Sequence, residues 1–312
     1  MPYASQNVSL AVAMKLASVT MFVIMASLVK AGSAEVPSGQ AVFFRSFFAL
    51  LVIVGWLFAK GDFWGGIATR DKAGHAWRGG VGTFAMMCMF GALGLLPLPE
   101  VTAIGYVKPI MVVVFAALIL GERVRMYRLG AVGLGLIGVL VILWPRLSTI
   151  GAGVTDAQVI GALLVLVGAS AAALAQVFIR RMVGTESVSA IVFWFSLTSS
   201  VLSLMTAPFG WVIPSPMVAL YLILAGIIGG FAQILLTLAY RYAEAAILAP
   251  FDYVSMVIAV AIGFFIFAEV PGKPVFAGAA LVIAAGLVII LRERQLGLER
   301  RKQRQAASHK GL

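Results

Sequence analysis

Apolar residues run in blocks of about 20 along nearly the whole chain, separated by glycines, prolines and small charge clusters. Ten blocks stand out, at 8–30, 39–60, 78–97, 101–121, 127–145, 158–180, 187–208, 216–238, 246–268 and 274–291. Each is long enough to cross a bilayer as a helix, which takes roughly 20 mostly apolar residues. The separators are short, so none could fold as a soluble domain. Any function must sit between the helices.

One stretch occurs twice. "LILGERVRMYRLGAVGLGLIGVLVI" runs over 118–142, and "FIFAEVPGKPVFAGAALVIAAGLVII" over 265–290. Both read apolar run, small residue, Glu, polar loop, then a Gly-spaced apolar run. The first loop carries Arg123, Arg125 and Arg128, and the second only Lys273. A shift of 147 places Gly82 on Gly229, Phe84 on Phe231, Tyr106 on Tyr253 and Glu122 on Glu269. A shift of 148 pairs Gly130 with Gly278, and one of 150 pairs Lys30 with Arg180, Phe44 with Trp194 and Ser46 with Ser196. Five blocks separate the copies, and five is odd, so the second copy lies upside down. Inverted repeats of this kind are a transporter signature.

Charge supplies the orientation. With the N-terminus inside, the cytoplasmic side collects eighteen of the 23 basic residues, Lys15 and Arg78 among them, and the outer side keeps Lys30, Arg146 and Lys273. Positive residues favour the cytoplasmic face, so both termini are expected there. The repeated loop loses its arginines because its second copy faces out.

Composition agrees. The chain is 62% hydrophobic and 11% charged, with a mean hydropathy of +1.05. Soluble domains run near 45–50% apolar and about 25% charged. The expected fold is an all-α integral membrane protein, with ten transmembrane helices as two inverted five-helix repeats around a central cavity. The repeats span 8–147 and 158–291, and a basic cytoplasmic tail covers 292–312. The first block is read as a retained helix, too long for a signal-peptide core. Seven basic residues of the tail after Leu291 suit anionic lipid at the inner face of a cytoplasmic membrane. No aromatic-interleaved basic face points to nucleic acid. Cys88 is the one cysteine, so no intrachain disulfide forms.

The two remaining basic residues, Arg45 and Lys108, fall inside blocks. Charge at depth costs about 2.5–3.5 kcal/mol on insertion scales, so each needs a partner or a wet cavity. Arg45 lies roughly 9 Å from the outer end of the second helix. It suits a substrate carboxylate or a gate, against a structural role on freed backbone carbonyls. Lys108 faces the same alternatives, because Pro109 beside it frees a carbonyl. Asp252, in "APFDY", fits an ammonium group or a proton, against a helix-start cap after Pro250. On straight helices both bases stand roughly 10 Å from Asp252 along the membrane normal, so the expectation is two separate roles.

Uncharged candidates for the cavity wall are Tyr106, Tyr253, Trp194, Phe84, Phe231 and Gln176. Any single aromatic more often packs helices or faces lipid; the tyrosines stand out as repeat equivalents beside Lys108 and Asp252. Gln176 needs hydrogen bonds that a polar cavity would supply. Glu122, Glu269, Glu100 and Glu244 lie at helix ends and read as interfacial. His75 and His309 fall in a loop and the tail, so no triad or metal cluster can be assembled, and neither catalysis nor a cofactor is expected.

Ten helices in two inverted halves, with "LPLPEVTAIGYVKPIMVVVFAALILGERV" in one and "AEAAILAPFDYVSMVIAVAIGFFIFAEV" in the other, resemble the drug/metabolite transporter superfamily, and within it the EamA-type transporters. The resemblance reaches to about Leu291. It implies a bundle whose central cavity opens alternately to each side. It also implies export or exchange of amino acids and related metabolites across a bacterial inner membrane, by a monomer or a dimer. Uptake of a riboflavin-like vitamin or of S-adenosylmethionine is the alternative, and an intramembrane enzyme a more distant one. Met256 stands where the first half has Pro109, so a kink in the ninth helix would have to come from Pro250.

Overall fold

The computed structural model describes residues 8–120, 126–147, 156–182, 185–242, 248, 251–252, 254–285, 287–288, 291–292 and 295. Among these residues the secondary structure is helical, with no strand. The helices are α1 (Val8–Gly32), α2 (Ser38–Ala59), α3 (Phe63–Ile67), α4 (Lys72–Leu93), α5 (Leu98–Gly105) and α6 (Val107–Leu120). They continue with α7 (Met126–Leu147), α8 (Asp156–Met182), α9 (Val188–Leu204), α10 (Pro216–Tyr242), α11 (Val254–Phe267) and α12 (Lys273–Ala285).

By length and apolar composition, four of them can cross a membrane unaided: α1, α2, α8 and α10. Large apolar side chains are exposed along them and their neighbours, among them Leu51 of α2, Leu163 of α8, Val201 of α9, Phe265 of α11 and Trp144 of α7, as expected where lipid replaces water.

The helix boundaries repeat along the chain. α6 and α11 are both 14 residues long, and their ranges coincide after a shift of 147. α7 and α12 begin 147 apart, and α2 and α9 begin 150 apart. Packing repeats too: α1 lies along α10 as α8 lies along α4, and α2 packs on α10 as α9 packs on α4. α2 and α9 face each other where the halves meet. Close approach of α7 and α12 requires glycine, because a Cβ on Gly138 would come 2.8 Å from the Gly278 carbonyl oxygen.

Two expectations change. The block at 101–121 is two helices, α5 and α6, interrupted at Tyr106, whose amide closes a tight turn on the Ala103 carbonyl (3.3 Å). Pro109 therefore sits in the first turn of α6, where its missing N–H has no intrahelical acceptor to lose. Met256 holds the same third position in α11, and Pro250, expected to supply the second kink, lies outside the described residues. Lys15 and Arg78 are also not surface charges. They are 2% and 6% exposed, inside α1 and α4. Removing both from the cytoplasmic tally leaves sixteen basic residues against three.

Candidate functional site

The two helix breaks lie against each other. Before α11, Phe251 and Asp252 form a short 3-10 turn, and the Ser255 hydroxyl donates back to the Asp252 carbonyl at 2.6 Å. Since that hydroxyl has one proton, the 2.8 Å contact between Tyr106 Oη and Ser255 Oγ has the tyrosine as donor. One hydrogen bond thus joins the break in the first half to that in the second.

Asp252 meets Lys15 of α1 at 2.7 Å. The lysine side chain is 2% exposed and the carboxylate 44%, so the pair joins a buried cation to a carboxylate that remains partly accessible. Lys108, two residues past the first break, lies in the field of Asp252, Lys15 and Arg78. Breaking the helix at Tyr106 removes the straight-helix depth on which separate roles for the bases and Asp252 were expected.

A second group lies across α2, α4 and α9. The Arg78 guanidinium stacks 3.5 Å from the centre of the Phe195 ring, and Arg45 lies 5.6 Å from the same centre. Their Cζ atoms are therefore no more than about 9 Å apart, and each guanidinium lies in the other's field. The Nε and Nη1 atoms of both are buried with no hydrogen-bond partner. Glycines let them lie flat: a Cβ on Gly82 would come 2.6 Å from Arg78 Nη1, and one on Gly229 3.3 Å from Arg45 Nε. A desolvated cation–π contact contributes about 2 kcal/mol. One ring shared by two guanidiniums cannot offset a desolvation of about 2.5–3.5 kcal/mol for each.

The remaining expected residues disperse. Trp194 donates to the Ile67 carbonyl at 2.9 Å and stands beside His75 and Phe193 at one end of the bundle. Phe84 shares an exposed face of α4 with Trp77, and Phe231 one of α10 with Leu224. Both spacings are seven residues, two helical turns, so each pair shares one helix face. Gln176 is half-buried in α8. Tyr253 and Glu122 lie outside the described residues.

Both ends are tied by carboxylates. Glu269 pairs with Lys30 at 2.9 Å and accepts from the Leu98 amide at 2.8 Å, while Lys30 also donates to the carbonyls of Leu93 (3.2 Å) and Leu96 (2.8 Å). At the other end Glu186, between α8 and α9, accepts from the amides of Arg70 (2.8 Å) and Asp71 (2.9 Å) and lies 3.4 Å from His75 Nε2. His75 is therefore not a loop residue but a buried one in the first turn of α4. Burial pushes the Glu186 carboxyl up, but the Arg70 and Asp71 amides, then His75 and Thr69, outweigh it and hold it below its ordinary value.

Sequence reasoning missed Lys15, Arg78 and Phe195. The repeat carried a signal for the last: the shift of 150 that aligns Ser46 with Ser196 also sets Phe195 on Arg45. One half supplies a cation where the other supplies its ring.

Helices broken at matching positions around buried charge are the build of a carrier, and a family comparison agrees. The EamA-like transporter family matches at residues 9–144 and 159–291, once for each set of repeating helices. The chain belongs to the EamA-like transporter family. Relatives include the S-adenosylmethionine uptake transporter of Rickettsia prowazekii, 26% identical over 258 residues (83% of this chain, 84% of the relative). The pseudopaline exporter of Pseudomonas aeruginosa is 29% identical over 278 residues (88% and 93%). The riboflavin transporter of Rhizobium johnstonii is 28% identical over 258 residues (82% of each). A solved crystal structure, 21% identical, superposes with a TM-score of 0.66 over 92% of this chain and 99% of its own, which supports the fold alone. This EamA-family chain is accordingly a membrane transporter of a small molecule.

Proposed function

We propose that this EamA-family protein is a ten-span carrier of two inverted five-helix halves, 8–147 and 158–291, that exports or exchanges amino-acid-like metabolites by alternating access. The observation carrying this reading is the joined pair of helix breaks, where Tyr106 and Ser255 meet beside the Lys15–Asp252 pair. A zwitterion needs both signs of charge in a sheltered place, and this centre offers them together. Broken helices also free backbone polar groups for a substrate, as in other carriers. Arg45 and Lys108 are assigned to the substrate carboxylate, and Asp252 to its ammonium or to a proton. Gln176 and Tyr253 remain wall residues in this proposal.

The test is counterflow in proteoliposomes against amino acids, riboflavin and S-adenosylmethionine. Accelerated exchange of an amino acid supports the reading; exchange confined to the other two compounds sinks it. Uptake is the second reading, favoured by the S-adenosylmethionine and riboflavin relatives. Chemical conversion of an added compound without movement would mark an enzyme instead. Orientation is tested by placing a cysteine in the "VPGKP" segment at 270–274. It should react with an impermeant thiol reagent in whole cells, and protection there overturns the proposed topology.

A further inference from the structure

We propose that Arg45, Phe195 and Arg78 form an anion seat beside the Lys15–Asp252 centre, so that the carried species bears at least two anionic groups and a net negative charge. The inference deepens the transporter reading and rests on it for the word carried; the seat itself does not.

Charge is the first argument. Among the described residues the interior holds Lys15, Arg45 and Arg78 buried and Lys108 partly buried, and Asp252, the carboxylate paired with Lys15, is already within 2.7 Å of it. Glu269 is engaged by Lys30 at one end, and Glu186 by backbone amides near His75 at the other. Neither is available to a guanidinium in the middle. An amino acid with a neutral side chain adds no net charge and leaves the surplus standing. A substrate with a second carboxylate or a phosphate removes part of it.

Geometry is the second argument. Two forks with open Nε and Nη1 donors flank one ring, and a guanidinium fork matches the oxygens of carboxylate or phosphate. Gly82 and Gly229 hold the guanidiniums against the backbone. A structural arginine is normally saturated by carbonyls, as Lys30 is at the bundle's end. These two are not.

The test uses the purified full chain, with binding read by calorimetry and by thermal shift. The probes are glutamate and O-phosphoserine, each against glutamine and lysine at equal concentration. Glutamate or O-phosphoserine should bind about tenfold or more tightly than glutamine, the range expected for hydrogen bonds to charged groups. Their relative strength separates carboxylate from phosphate as the second group. Arg45→Met and Arg78→Met should each lose that preference and should raise the melting temperature of the ligand-free protein, because an unpaired buried cation gives way to an apolar chain. Arg78→Lys should retain part of the preference. Equal binding of glutamine and glutamate, a preference for lysine, or Met variants that melt lower or fail to fold would overturn the seat. Anion binding without counterflow of any probe would refute the amino-acid export reading and leave the seat standing. Counterflow of neutral amino acids with no anion preference would do the reverse.

Discussion

Lys30 and Arg45 are both cations in one helical bundle, yet their surroundings are opposite. Lys30 has a carboxylate, two backbone carbonyls and the Phe267 ring within reach. Arg45 has a phenyl ring 5.6 Å away and buried nitrogens with no acceptor. The neighbours of Lys30 all come from helix ends, where carbonyls are free by geometry. Arg45 sits among helix interiors, whose carbonyls are already used. A cation is saturated where the fold has spare acceptors and left open where it has none. The first kind closes a structure, and the second waits for a ligand.

The sharpest way to break this comparison is Lys30→Met. It removes the ion pair and two carbonyl contacts and leaves Glu269 partly buried with only the Leu98 amide. A loss of about 3 kcal/mol is expected, the low end for removing one member of a buried pair. Glu269→Gln in the same chain should recover part of it, since an amide oxygen still accepts from Leu98. Denaturation of the purified protein measures both, and substrate affinity should stay within about twofold of the parent. If Lys30→Met weakens binding more than stability, Lys30 belongs with Arg45.

Asp252→Asn comes next. Its carboxylate is 44% exposed, so screening limits the loss of stability to about 1 kcal/mol. The functional change should be larger: slower turnover or an altered pH dependence of exchange, with equilibrium binding of substrate nearly intact. Loss of binding for an amino acid, but not for its deaminated analogue, would assign Asp252 to the ammonium group instead.

The all-helical, membrane-embedded character was readable because a bilayer imposes one apolar pattern on every span. Arg45, Lys108, Asp252 and Tyr106 were readable as charge or repeat equivalence inside apolar blocks. Lys15 and Arg78 were not. Each falls six or seven residues from a helix start, where linear distance cannot tell a snorkelling side chain from a buried one; that depends on the neighbouring helix. Phe84 and Phe231 were overread for the same reason. Repeat equivalence preserves the face a residue occupies within its half, but it does not say whether that face meets lipid or cavity. The break at Tyr106 was equally silent, since Pro109 drew the expected kink three residues too late.

A purely structural effect belongs to the third cluster, at the end opposite Lys30. Glu186 is 1% exposed, accepts two backbone amides and lies near His75. Its carboxyl is held below the ordinary value chiefly by the Arg70 and Asp71 amides acting against burial. A depressed folded-state value means the carboxylate stabilises the fold above the unfolded value, about 4.3 for glutamate. That contribution fades as pH falls through the lower, folded value. At neutral pH Glu186→Gln should cost about 1–2 kcal/mol, because the amide oxygen can still accept from Arg70 and Asp71 but carries no charge, and an NH2 replaces the oxygen that faces His75. The gap between parent and variant should narrow as the medium is acidified below pH ~4, and close once Glu186 is protonated in both states. Melting temperatures of both proteins between neutral and acidic pH decide it. A gap that widens on acidification would mean that protonation of Glu186 strengthens this end, and the amide-held carboxylate would not be what ties α8 and α9 to α4.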